Sequence, residues 1–154
     1  MRPNPAEQLQ GTCRILEDVV APHVTEPFAR TILANLIANL RMLTDALPKV
    51  TGFVRDDNTA ALELLQNLHP ALPAALVARI DQAASAMEPD PTDAAALDER
   101  NRILRQLLAD AVGAPGLNAS MSRNVAAYMT ERAARVPMRY VPPAAPLTPP
   151  PAKA

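Results

Sequence analysis

The chain has 154 residues, a formal net charge of −1, a pI near 6.1, 3% aromatic residues and no Trp. This length can bury a hydrophobic core without covalent staples. The charge balance excludes the basic field that nucleic-acid and anionic-membrane binders carry, and the lone Cys13 excludes an intrachain disulfide or a Cys-clustered zinc site.

The opening MRPNPAEQLQGT lacks the apolar stretch of a signal peptide. No run of about 18 apolar residues is present either, so a cytoplasmic protein without a membrane span is expected. Glycine is scarce, at four, and proline abundant, at seventeen. The prolines punctuate periodic segments or collect in VPPAAPLTPPPAKA, residues 141–154. Ala and Leu dominate the segments between them, which predicts an all-α fold.

The first helix is expected from about Pro5, capped by Asn4, to Val20, with Leu9, Cys13, Leu16 and Val20 on its apolar stripe. Pro22 ends it. Thr25 is the expected cap of a second helix running to about Leu47, before Pro48. Its Leu33, Leu36, Leu40, Leu43 and Leu47 follow a 3-4-3-4 spacing, a coiled-coil-like seam that predicts the buried side. KVTGFVRDDN reads as a loop broken at Gly52, and a third helix is expected from Asp57 or Asn58 through Leu62, Leu65 and Leu68. Pro73 opens a fourth with Leu76, Val77, Ile80 and Met87. Thr92 or Asp93 caps a fifth that runs to about Val112, with Leu97, Leu104, Leu107, Leu108 and Ala111 inside. On its outer face Asp98 and Arg102 are spaced for an i,i+4 ion pair. A sixth spans about Asn118 to Val136. The expectation is a bundle of five or six mostly antiparallel helices over residues 1–137, followed by a flexible Pro-rich tail over 138–154.

Few residues offer chemistry. His23 and His69 each lack a second His at i+3 or i+4, so no helical metal pair is present. Cys13, on an apolar stripe, reads as a small buried hydrophobe. The acidic clusters RDDN and EPDPTD read as caps and dipole partners at helix starts. Walker A, GxGxxG and kinase catalytic-loop motifs are missing. No catalytic, metal or cofactor site is therefore assigned.

Two polar features point to contacts. Of Asn35 and Asn39, one turn apart, Asn39 lies at the edge of the leucine seam and Asn35 farther round, near Phe28 and Met42. An unpaired buried carboxamide costs about 1–3 kcal/mol, so each is expected to bond a neighbouring helix (Asn101, for instance) or a partner chain. Arg132, Arg135 and Arg139 collect at the end of the last helix, where cations suit the dipole and could also meet an acidic partner.

RPNPAEQLQGTCRILEDVVAP, residues 2–22, with Arg2-Pro3, Leu9, Leu16-Glu17 and Pro22, resembles the opening of a family of small helical proteins. These accompany phosphotransferase-type hydroxyacyl-CoA kinases in bacterial catabolic operons, as in levulinate catabolism. An Ala-Asn step followed by Arg (Ala34-Asn35 or Ala38-Asn39, with Arg41) fits the same pattern. The resemblance covers about the first third of the chain; the middle and the Pro-rich tail depart from it. It implies a noncatalytic companion of a kinase acting on a hydroxyl of a CoA thioester or related alcohol.

The leading expectation is thus a noncatalytic helical accessory subunit that binds a protein partner, or a homo-oligomer, through Asn35, Asn39, Arg41, Arg132, Arg135 and Arg139. The alternative is a helical bundle that binds an acyl or CoA ligand. An enzyme assembled from His23, His69 and an acid ranks third.

Overall fold

A computed structural model describes residues 4–138, and these contain five α-helices and no strand. The expected tail therefore lies, from residue 139 onward, outside the described residues. The helices are α1 (Pro5–Ile15), α2 (Pro27–Leu68), α3 (Ala74–Ser85), α4 (Ala94–Gly113) and α5 (Ala119–Arg135). The chain divides into two compact units. Of the described residues, 4–49 and 137–138 belong to the first and 50–136 to the second. The bundle expected over 1–137 falls across both.

In the first unit, α1 starts on a capping box: Asn4 Oδ1 accepts from the Glu7 amide and the Glu7 carboxylate accepts from the Asn4 amide, both at 2.9 Å. The α-helix stops short of Val20. Leu16–Val20 widens into a π-turn and Ala21–His23 tightens into a 3₁₀ turn. Pro22 has no N–H to continue the ladder, so the exit is regularised by local changes of pitch. The cap of α2 is Glu26 and not Thr25: its carboxylate accepts from the amides of Phe28 and Ala29.

The largest departure from expectation is α2 itself. It runs unbroken for 42 residues, so Pro48 lies inside a helix and KVTGFVRDDN is helical. Residues 50–54 are half-buried, and Asp57 and Asn58 are fully committed to the interior. Tertiary packing overrides the local cost of Pro and Gly. The leucine seam is also displaced. In the first unit the buried residues are Cys13, Ile37, Thr44 and Ala46, whereas Leu36 and Leu47 are 47% and 41% exposed. Leu33, Leu40 and Leu43 are half-buried.

The second unit contains the main core. Ala61, Leu64, Leu65 and Leu68 of α2 meet Leu76 and Ile80 of α3, Leu104, Leu107 and Leu108 of α4, and Tyr128 of α5. Asp93 caps α4 as expected, Asn118 caps α5, and Pro73 precedes α3. Helix α3 ends before Met87, which is exposed and not part of the core. Arg102 pairs with Glu99, one turn back at i,i+3, and not with Asp98. Gly116, at φ +123°, makes the turn between α4 and α5; a Cβ there would lie 2.7 Å from the Ala71 carbonyl oxygen.

Candidate functional site

Each of three helices of the second unit carries polar residues among its apolar positions, and the fold brings them together. Asp57 has no exposed surface. Its Oδ1 accepts from the Tyr128 hydroxyl at 2.9 Å, and its Oδ2 accepts from Asn101 Nδ2 at 2.8 Å and from Arg132 Nε at 2.9 Å. Asn101 Nδ2 also donates to Asn58 Oδ1 at 2.9 Å, and Asn58 Nδ2 donates to the Leu97 carbonyl at 3.0 Å. The Arg132 guanidinium stands 5.6 Å from the centroid of the Phe53 ring.

A buried carboxylate is tolerated only when paired and hydrogen-bonded, and both conditions are met. Burial, then the charge of Asp57 and the bond to it, push the Tyr128 hydroxyl up to about 12. The phenol stays protonated and acts as a donor. With its oxygens occupied and no solvent contact, Asp57 works as a clip joining α2, α4 and α5. It has no face to present to a substrate.

One open surface beside this clip is a groove of about 400 Å³ between α4 and α5. Arg105, Leu108, Ala109 and Val112 line one wall; Val125, Tyr128, Met129 and Arg132 line the other. Each wall therefore uses positions i, i+3, i+4 and i+7 of its helix. Val112 is 50% and Met129 51% exposed.

The residues singled out from sequence fall in separate places. Arg132 belongs to the Asp57 clip. Arg135 is exposed at the end of α5, and Arg139 lies outside the described residues. Arg41 pairs with Glu17 at 2.6 Å in the first unit, beside a cleft of about 320 Å³ whose lining includes Cys13 and Thr44. Asn35 is half-buried and Asn39 exposed. Neither side chain bonds another described residue, and Asn101 is spent on Asp57 and Asn58. Cys13 is buried, at 4% exposure. His23 is exposed, and His69 Nε2 lies 3.7 Å from Asp81 Oδ1. Among the described residues no group of His, Cys, Asp or Glu is placed to hold a metal ion, and no helix is long and apolar enough to cross a membrane.

The RDDN cluster was expected at a helix start; its Asp57 and Asn58 instead sit deep inside α2. The signal lay in α4 and α5. Asn101 occupies the 4-3-4-3 stripe of Leu97, Leu104, Leu108 and Ala111, and Arg132 extends the stripe of Met121, Val125 and Tyr128. A polar side chain in an apolar stripe demands a buried partner. No family model, curated protein or solved structure matches the chain.

Proposed function

We propose that the chain is a noncatalytic helical accessory subunit that binds and supports a catalytic partner. The partner class is an ATP-dependent phosphotransferase-type kinase acting on a hydroxyl of a CoA thioester or related alcohol. The observation that carries the binding role is the leucine seam of α2. A 3-4-3-4 spacing suits helix against helix, yet Ile32, Leu36 and Leu47 remain 41%, 47% and 41% exposed. Covering such half-exposed side chains is worth about 1 kcal/mol each, half or less of full burial. Asn39, exposed beside them, offers a carboxamide to the same partner. The kinase identity rests on the resemblance alone, carried by residues 2–22 and by the Ala-Asn step followed by Arg41.

Coexpression with the product of the neighbouring gene tests this. The expected result is a stable complex in which the kinase is more active or longer-lived than alone. The doubly substituted chain Leu36→Asp, Leu47→Asp should lose the complex and keep its helical spectrum. A chain that stays monomeric beside a neighbour fully active without it would refute the proposal.

A further inference from the structure

We infer that the groove between α4 and α5 is a docking site for an amphipathic helix that carries a carboxylate at one end and belongs to a protein partner. The inference rests on the partner-binding reading above but uses a different surface. Two features select this occupant. The first is charge. At one end of the groove Arg105 makes no hydrogen bond or ion pair with any described residue. Arg132, beside it, donates to Asp57 through Nε alone. Within the groove lining and the clip beneath it one carboxylate stands against two guanidiniums, which leaves spare N–H donors suited to a carboxylate. The other end, at Val112 and Val125, is apolar.

The second feature is shape. Each wall presents an i, i+3, i+4, i+7 row, about two helical turns or 10 Å long. Two such rows form the kind of furrow that the side-chain ridge of a third helix fills. A site for a free acyl carboxylate would enclose most of its ligand. Here Val112 and Met129 are half exposed along the rim, so a ligand as thin as an acyl chain would stay wet on one side. A helix, with its own outer face polar, tolerates that exposure.

The experiment screens the full chain against a displayed library of helices about four turns long. Three apolar positions are spaced i, i+3 and i+7, and each end is varied among acidic, basic and neutral residues. Decanoate is titrated separately, and the chain variants are Arg105→Glu, Met129→Asp and, as a control with the same change of net charge, Arg123→Glu. The expected result is enrichment of acid-ended over base-ended helices by about tenfold or more. That enrichment should vanish on Arg105→Glu and Met129→Asp and persist on Arg123→Glu. All three variants change exposed residues, and circular dichroism checks their folding. No enrichment, enrichment blind to end charge, equal loss on Arg123→Glu, or binding of decanoate alone would each overturn the inference. A kinase complex that survives Arg105→Glu sinks the groove and spares the α2 reading. Loss of the α2 reading leaves the library result unchanged.

Discussion

Replacing Arg132 by Met removes the only cation, among the described residues, bonded to a carboxylate that has no solvent contact. Breaking a buried pair in this way typically costs about 3–5 kcal/mol. The expected loss at pH 7 is therefore about 3–5 kcal/mol, a large share of the stability of a small domain. Urea unfolding of Arg132→Met and the parent chain, followed by circular dichroism at pH 7, measures the difference. Adding Asp57→Leu to Arg132→Met should recover part of the loss, because the stranded charge is gone. A loss below about 1 kcal/mol, or one that Asp57→Leu does not relieve, would refute the assignment of Asp57 as a buried ion held by Arg132.

Pro48→Ala and Gly52→Ala should both raise the urea midpoint. Pro inside a helix costs about 3 kcal/mol and Gly about 1 relative to Ala, and a Cβ at Gly52 meets nothing within 4 Å; unchanged midpoints would mean that the 48–57 stretch is not helical in solution. Gly116→Ala should destabilise by more than about 1 kcal/mol, since it meets both a positive φ and the Ala71 carbonyl, while Gly113→Ala, with open space around it, serves as the neutral comparison in the same melt. An unfolded tyrosine ionises near 10 and Tyr128 near 12. The stability it contributes is whole below pH 10 and is lost as pH rises toward 12, because the unfolded chain sheds a proton that the native chain retains. Urea midpoints at alkaline pH should fall less steeply in Tyr128→Phe than in the parent.

Three helix starts were legible because the signal is local: Asn4 and Asp93 each bond an amide three residues on, and Pro73 fixes the entry to α3. The break expected between Leu47 and Asp57 failed for the same reason in reverse. Pro48 and Gly52 are local signals against a helix, and the half-burial of residues 50–54 that overrules them depends on distant partners. The leucine seam is helical as expected but only in part inward: Leu33, Leu40 and Leu43 are half-buried, Leu36 and Leu47 are exposed, and Ile37, Thr44 and Ala46 beside it are the buried residues, a distinction that periodicity alone does not make. The Asp57 clip was invisible to any local spacing rule, although Asn101 within a row of leucines marked one of its members.

The clip also governs when the second unit can be completed during synthesis. Asp57 lies 44 residues before Asn101, 71 before Tyr128 and 75 before Arg132. At translation rates of about 5–20 residues per second, a nascent chain waits about 4–15 s between making the carboxylate and making its cation. Until α5 emerges, closing the other helices would bury an uncompensated charge, which opposes premature collapse. The last helix thus acts as the closing member of the assembly. A polypeptide that stops short of Tyr128 keeps Asp57 hydrated and the unit open, and its unprotected backbone is the form a protease would cut first.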